Sequence, residues 1–345
     1  MAQIVDFHAH IFPNPVERVL PLIPKKGPLA PYLSQEMLDF VRRSARQWLT
    51  PVADSMHKAQ VFMRHLPETA RNALDQVGGL ASVPRLFIES TPSDLIEAMD
   101  LARVDRAVVI AHPPICSNEY LLEAAQENPQ IIPCVNVPPG TYHPGQALKK
   151  YVASGARALK IHAAYDGEGV DSTRYHSLIQ AAADLGIPVI LHTGCIQNRV
   201  FYKNPKWGKA ELFAPWFEQY SSVQFVLAHM NFHAPMIALD LAQKFENVHV
   251  DTSWQPAEII GEAVRRIGSE RVLLGTDWPL VGDNMRLGTA RVQEALDAGI
   301  INAEDSEKIL GLNALRLLRL DEADAAGSAR DLVSSKEDTS NATPA

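Results

Sequence analysis

The chain has 345 residues, of which 32 are basic and 40 are acidic, so its formal net charge at pH 7 is −8. This acidic balance argues against a nucleic-acid partner, because binding to phosphates requires a basic surface, but it leaves a small anionic molecule open. We expect a cytoplasmic protein without disulfides or membrane association, because the three cysteines are widely spaced and no apolar run approaches the ~18 residues of a membrane span.

Short apolar runs alternate with longer helical patterns along most of the chain. Most runs are rich in Val, Ile or Leu with little polar alternation, which is typical of buried parallel strands. The eight predicted strands are 4–8, 107–111, 131–137, 156–162, 188–192, 224–229, 248–252 and 272–277. The predicted helices are 93–103, 118–128, 145–154, 173–185, 210–220, 235–245, 256–267 and 287–298. Eight such repeats favour an α/β fold of the (β/α)8 TIM-barrel type over an open sheet.

Two stretches depart from this repeat. Residues 13–91 separate the first two predicted strands and combine proline-rich turns with two helical patterns. We interpret them as a helical insertion that rises from the first βα loop over the mouth of the barrel, with a peripheral decoration as the alternative. Residues 321–345 are poor in large apolar side chains and predict a disordered tail, which leaves residues 1–320 for the barrel domain.

Ionisable side chains end several of the predicted strands. His8 and His10 end the first strand, where residues two apart share one face, so this pair is spaced to chelate one ion. The later strands end in Lys160 and His162, His192, His229 and Asp277. A lone histidine at a strand end is commonly structural, but the carboxyl ends of barrel strands converge on the active site. Imidazole and carboxylate ligands suit zinc or a similar divalent ion, so the set predicts a metal site.

Weaker candidates lie just beyond strand ends. Phe12 and Trp254 are positioned to wall the pocket, although packing explains them equally well. Arg199 follows the fifth strand and is a candidate for holding a substrate carboxylate, with simple exposure to solvent as the alternative.

The ordered set of motifs resembles the amidohydrolase superfamily, specifically the amidohydrolase-2 branch related to aminocarboxymuconate-semialdehyde decarboxylase and to lactone hydrolases. The motifs are DFHAH at 6–10, GARALKIH at 155–162, LHTG at 191–194, AH at 228–229 and GTDWP at 275–279. A His-x-His pair alone is weakly specific, whereas the whole set in this order is strongly so. The resemblance implies one divalent ion, zinc by preference. Its implied ligands are His8, His10, His192 and Asp277. It also implies that His229 contacts the reactive water or the substrate.

Lys160 allows two interpretations within this resemblance. Binuclear relatives carry a carboxylated lysine on the fourth strand that bridges two ions, and Lys160 lies near the end of that strand. We favour a single ion, with Lys160 as a structural or substrate-anion contact and His162 in the pocket wall.

The predicted activity is hydrolysis of a lactone, ester or amide bond in a small molecule that can carry a carboxylate. In this mechanism Asp277 accepts a proton from water, and His229 orients the water or stabilises the oxyanion. Decarboxylation of an unsaturated or aromatic acid is the alternative, because decarboxylases of the branch share every metal position. They tend to have His-Pro after strand five, where this chain has His192 followed by Thr193.

A barrel that binds a ligand without catalysis is a further alternative, which the complete set of metal positions disfavours. The sequence leaves the substrate and the physiological metal open. It also leaves the oligomeric state open, with a homodimer as one of the states it allows.

Overall fold

A computed structural model describes residues 3–13, 62–67, 69–71, 73–74, 90–194, 202–280 and 284–320. Their central feature is one sheet of eight parallel strands that pair in chain order, β1 to β8. The strands are β1 Val5–His10, β2 Arg106–Ile110, β3 Ile131–Asn136, β4 Ala158–Ile161, β5 Val189–Leu191, β6 Phe225–Leu227, β7 Val248–Asp251 and β8 Val272–Leu273. This arrangement confirms the predicted (β/α)8 barrel.

Backbone hydrogen bonds between the first and last strands bring the two edges of the sheet together. The amide of Phe7 donates to the carbonyl of Leu274, and the amide of Asp277 donates to the carbonyl of His8, both at 2.7 Å. These bonds place the segment after β8 directly beside the two histidines of β1.

Helices cover the outside of the barrel. The longer ones in the described residues are α1 Pro92–Ala102, α2 Asn118–Glu127, α3 Pro144–Ala153, α4 Thr173–Leu185, α5 Pro235–Lys244, α6 Ala257–Ile267 and α7 Asn284–Asp297. Shorter helices are Ala163–Asp166, Ala214–Gln219, Ala303–Glu307 and Asn313–Leu317. Side-chain caps begin several of them; in α1, Thr91 and Asp94 form a reciprocal capping box. None of the described helices has the length and apolarity needed to cross a membrane.

The barrel interior changes from apolar to ionisable along the strands. Val5 and Phe7 of β1, Ala158 of β4 and Ile190 of β5 belong to one fully buried apolar cluster. Two residues further along β5, on the same face, the apolar side chain gives way to His192. The same spacing takes β4 from Ala158 to Lys160 and then to His162. A dry lower core therefore supports a layer of ionisable groups at the carboxyl ends of the strands.

The predicted ends of three strands were wrong by a few residues. β1 continues through His10, with a bulge between Asp6 and Ala9 that places one extra residue on this strand. β6 ends at Leu227 and β8 at Leu273 rather than at His229 and Asp277. The φ angles of His229 and Asp277 are 61° and 60°, a left-handed backbone that cannot continue a strand. Such bulges and left-handed residues are concentrated next to active sites, where they redirect side chains.

Two sequence predictions fall mainly on residues that the structure does not describe. Most of the insertion predicted for residues 13–91, and the whole tail predicted for residues 321–345, lie outside the described residues. From the insertion, Arg64 is described, and its guanidinium donates to the side-chain oxygen of Gln255 at 3.3 Å.

Gly194, just after β5, is a position where the fold demands glycine. Its φ is +70°, and an added Cβ would lie 2.3 Å from the carbonyl carbon of Asn231, in the loop after β6. We expect Gly194→Ala to lower the free energy of unfolding by roughly 1–3 kcal/mol through overpacking, with the left-handed backbone adding to the loss. Chemical denaturation measures the change. Gly140→Ala is the control, because nothing lies within 4 Å of its added Cβ. Equal losses of unfolding free energy in Gly194→Ala and Gly140→Ala would show that the backbone of Asn231 leaves room for a Cβ at residue 194.

Candidate metal centre

Three side chains from opposite ends of the sequence converge at the mouth of the barrel. The Nε2 atom of His10 lies 3.2 Å from Oδ1 of Asp277, and the Nε2 atom of His8 lies 3.5 Å from the same oxygen. All three side chains are buried, with residue exposures of 0% for His8, 7% for His10 and 4% for Asp277. One ligand atom from each lies within 4.8 Å of the others.

Hydrogen bonds on the far side of each imidazole fix which nitrogen carries the proton. Nδ1 of His8 faces Oδ2 of Asp251 at 2.8 Å, and Nδ1 of His10 faces the carbonyl of Ile110 at 3.2 Å. Both partners are acceptors, so in the neutral rings Nδ1 carries the hydrogen and Nε2 carries a lone pair. The lone pairs on Nε2 of His8 and on Nε2 of His10 therefore point toward Oδ1 of Asp277, a carboxylate oxygen that also carries only lone pairs.

This donor set fits a divalent ion. Oδ1 of Asp277 is buried and receives no hydrogen bond from the described residues. A buried acceptor facing two further acceptors is unfavourable unless a cation lies between them. Ligand atoms at about 2.0–2.1 Å from a tetrahedral zinc are roughly 3.3–3.5 Å apart. The two nitrogens lie at similar distances, 3.5 and 3.2 Å, from Oδ1 of Asp277.

Burial and neighbouring charges keep these groups in their metal-binding forms. Burial, the largest cause, lowers the pKa of His8 to about 3 and also lowers the pKa of His192 and of His229. Burial alone would raise the pKa of Asp277, but attraction to His229 and the β1 histidines in their protonated forms outweighs this and holds the pKa below its usual range. Near neutral pH, His8, His192 and His229 are therefore neutral imidazoles, and Asp277 is an ionised carboxylate.

His229 lies beside this group in a network of its own. Its ring centroid is 4.7 Å from that of His8 and 4.9 Å from that of His192. Its Nδ1 atom lies 2.8 Å from the hydroxyl of Ser253, and its backbone amide donates to Oδ1 of Asp251 at 2.9 Å. The hydroxyl of Ser253 donates to that same Oδ1 atom. Ser253 has one hydrogen to give, so its oxygen accepts from Nδ1 of His229, and Nε2 of His229 carries the lone pair.

A second group of metal-like side chains is better explained by hydrogen bonds. His8, His229 and Asp251 also offer ligand atoms within 4.8 Å of one another. Both oxygens of Asp251 accept hydrogen bonds, Oδ2 from His8 and Oδ1 from Ser253 and two backbone amides. This carboxylate therefore supports the site through hydrogen bonds and leaves the ion to the first group.

Trp254 and Asp277 contact each other directly. The indole nitrogen of Trp254 donates to Oδ2 of Asp277 at 2.8 Å. This is the carboxylate oxygen that does not face the two β1 histidines. Trp254, which sequence patterns suggested only as a pocket wall, is thus a partner of a predicted ligand.

The remaining predicted residues contribute to a wall of rings. His162 and His192 stack with centroids 3.7 Å apart and planes inclined by 13°, and Tyr202 lies 5.3 Å from His162. Phe12 stacks 6.0 Å from His10. Contacts with other rings are the interactions that place His192 in this site, so its role as a fourth ligand stays a prediction.

Two cationic candidates have different outcomes. Lys160 is buried, with 2% of its surface exposed, and its Nζ atom lies 3.5 Å from Nε2 of His8. It therefore lies in the site, beside a predicted metal ligand. Arg199 lies outside the described residues.

Sequence reasoning missed the support that comes from the end of β7. Asp251 and Ser253 contact His8 and His229 and are almost fully buried, at 0% and 1% exposure. Asp251 is the last residue but one of the predicted strand 248–252, so a search for ionisable groups near strand ends could have found it. Ser253 lies beyond the end of β7, just before the left-handed Trp254 (φ 66°), where strand alternation no longer predicts the direction of a side chain.

Comparisons with known proteins give the family and support the fold. The family described as Amidohydrolase matches residues 5–320. No curated protein matches the chain.

Several solved structures share the fold at low identity. A 5-carboxyvanillate decarboxylase from Novosphingobium aromaticivorans, with manganese and 4-hydroxy-3-methoxy-5-nitrobenzoic acid, is 16% identical, with 92% of this chain and 96% of that chain covered and a TM-score of 0.57. A 4-oxalomesaconate hydratase from Rhodopseudomonas palustris is 16% identical, with 95% and 100% covered and a TM-score of 0.57. A probable 2-pyrone-4,6-dicarboxylic acid hydrolase from Acinetobacter baumannii, with citric acid, is 17% identical, with 66% and 89% covered and a TM-score of 0.50.

Proposed function

The chain belongs to the amidohydrolase family, and from that premise we propose that it is a metal-dependent hydrolase. Its substrate in this proposal is a lactone, ester or amide of a small carboxylated molecule. The tautomer of His229 carries the proposal, because an imidazole whose Nδ1 donates to Ser253 offers Nε2 as a proton acceptor. A hydrolase needs such an acceptor for the proton of its attacking water.

The ion in this proposal is a single zinc held by His8, His10, His192 and Asp277. The convergence of two Nε2 lone pairs on Oδ1 of Asp277 supports three of these ligands. His192 joins them as the β5 residue that faces His229. Zinc suits a set rich in imidazole, and the manganese of the Novosphingobium relative makes that ion the alternative.

The chemistry that a divalent ion supplies when bound is Lewis acidity toward water and toward a carbonyl oxygen. His229 takes the water's proton on Nε2, and its Nδ1–H then points toward Ser253 and the negative charge of Asp251. This neighbouring carboxylate stabilises the imidazolium that forms, and His229 afterwards returns the proton to the leaving group.

Asp277 is better placed as a ligand than as the base. Its Oδ2 accepts from Trp254, and its Oδ1 faces the β1 histidines, so both oxygens are engaged. Its lowered pKa also makes it a weak proton acceptor. We therefore assign the proton acceptor to His229 and the holding of the ion to Asp277, which divides the two roles that the sequence combined.

Recognition of the substrate carboxylate is assigned to Lys160. Its buried ammonium lies next to the ligand atoms, where a positive charge attracts an anion strongly because little water screens it. The stacked rings of His162 and His192 and the ring of Phe12 provide flat surfaces for a planar substrate.

Decarboxylation of an aromatic acid is the second candidate, and the ring-lined wall favours it. This reaction requires a group that donates a proton to carbon, whereas neutral His229 offers an acceptor on Nε2. Hydrolysis is therefore the function that the hydrogen bonds support best.

The test is a substrate panel run in water enriched in oxygen-18. Zinc- and manganese-loaded protein is incubated with 2-pyrone-4,6-dicarboxylate, further lactones, esters and amides, and with 5-carboxyvanillate. Mass spectrometry follows label entering the new carboxylate, and a coupled assay follows released CO2. We expect labelled product from a lactone, ester or amide and none after treatment with a chelator. Release of CO2 without label would replace our proposal by the decarboxylase.

A further inference from the structure

One short segment supports three of the groups that the proposed reaction uses. The post-β7 segment (residues 251–255) contacts His8 through Asp251, His229 through Ser253, and Asp277 through Trp254. Its last residue, Gln255, donates to the carbonyl of His229 at 2.7 Å and to the carbonyl of Phe232 at 3.1 Å. The turn after β6, where His229 has a positive φ, is therefore held in part from this segment.

We propose that Asp251 is a shared positioning residue that sets the tautomers of both His8 and His229. Oδ2 of Asp251 holds the hydrogen of His8 on Nδ1, which leaves Nε2 for the ion. Oδ1 acts through the hydroxyl of Ser253, which holds the hydrogen of His229 on Nδ1 and leaves its Nε2 for the proton of water. The role of His229 in this inference rests on the proposed function, whereas the hydrogen bonds themselves do not.

Counting donors shows why Asp251 accepts at both oxygens. Oδ1 receives backbone amide hydrogens from His229 at 2.9 Å and from Ser253 at 3.1 Å, and amides can only donate. This oxygen also receives the hydroxyl of Ser253, so it has no room for a hydrogen of its own. Three donors at one oxygen stabilise the ionised carboxylate, and His8 then supplies the hydrogen of the 2.8 Å contact with Oδ2.

Packing holds Asp251 in this orientation. Asp251 is fully buried, and a Cβ added to Gly275 would lie 2.9 Å from its Cγ atom. The backbone after β8 therefore lies directly against the carboxylate, which leaves its side chain little freedom to turn. The contacts of Asp251 run to Nδ1 of His8 and, through Ser253, to Nδ1 of His229, so it acts through the two histidines.

Asp251→Asn makes a specific prediction for His8. The amide oxygen must take the Oδ1 position, because two backbone amides donate there, so the amide NH2 faces Nδ1 of His8. Nδ1 then has to accept, and the hydrogen of His8 moves to Nε2, the nitrogen assigned to the ion. We expect this variant to bind zinc about 10–100-fold more weakly, the usual loss on changing an outer-shell partner.

Ser253→Ala separates the second half of the inference from the first. It removes the acceptor for Nδ1 of His229 and leaves the contact between Asp251 and His8 in place. We expect His229 to lose its preference for the tautomer that carries the hydrogen on Nδ1. We also expect kcat to fall about 10–100-fold, with zinc affinity and KM unchanged. Thr252→Val is the matched control, because Thr252 is equally buried in the same segment but its hydroxyl contacts Gly275.

Long-range ¹H–¹⁵N NMR of histidine-labelled protein reads the tautomers directly, and chelator competition gives the zinc dissociation constants. The inference predicts that Asp251→Asn moves the hydrogen of His8 to Nε2, that Ser253→Ala alters His229, and that Thr252→Val alters neither. If His229 keeps the same tautomer in folded Ser253→Ala, the inference is overturned, even if Asp251→Asn does not fold. These readouts need no substrate, so the expected tautomers with an inactive enzyme would sink the hydrolase proposal and leave the positioning role standing.

Discussion

Asp277→Asn is expected to weaken zinc binding by at least about 100-fold, more than the 10–100-fold usual for an outer-shell change. The sequence alone suggests a milder outcome, because asparagine keeps an oxygen that can coordinate. The structure removes that option, because the indole N–H of Trp254 donates to Oδ2 and demands the amide oxygen there. The amide NH2 then points to Nε2 of His8 and His10 and satisfies the lone pairs meant for the ion.

A second substitution tests this explanation. Trp254→Phe removes the indole donor, so in the double variant the amide is free to turn its oxygen toward the histidines. We expect Asp277→Asn with Trp254→Phe to bind zinc more tightly than Asp277→Asn alone, although more weakly than the unmodified protein. Competition with a chelating dye measures all four proteins, and circular dichroism checks their folding. Full zinc affinity in Asp277→Asn would remove Asp277 from the ligand set.

His10→Ala is expected to leave a folded barrel that retains less than about one tenth of the bound zinc, because one member of a four-ligand set is lost. His10 is the better of the two β1 histidines to change. Its Nδ1 meets only a backbone carbonyl, whereas His8 also anchors Asp251. The zinc content of dialysed protein, measured by elemental analysis, gives the result.

Two further variants define the limits of the ligand set. His112→Ala changes a ring 6.4 Å from His10 that lies outside the converging group of three, so it should keep the zinc. His192→Ala should lose it, because we propose His192 as the fourth ligand. Full occupancy in His192→Ala together with loss in His10→Ala would reduce the protein ligands to three.

The strand-end rule explains why much of the site could be predicted. Regular strands project residues two apart to one face, so the sequence predicts that His8 lies beside His10 and that Lys160 lies beside His162. The barrel fixes the order in which strands meet, and this brings Asp277, in the segment after the last strand, beside the histidines of the first.

The rule failed where the backbone leaves the strand. His229, Trp254 and Asp277 all have positive φ angles, so their side chains point in directions that alternation does not predict. The contacts from Ser253 to His229 and from Trp254 to Asp277 arise in these turns. The sequence could not predict the tautomers either, because a tautomer depends on the partner of Nδ1, which for His8 is Asp251.

Anomalous diffraction from a crystal of zinc-loaded protein locates the ion and its ligands. We expect one peak at the zinc edge for each chain, about 2.0–2.2 Å from Nε2 of His8, Nε2 of His10 and Oδ1 of Asp277. A peak bound to Asp251, or two peaks of equal height bridged by Lys160, would contradict the single centre proposed for this barrel.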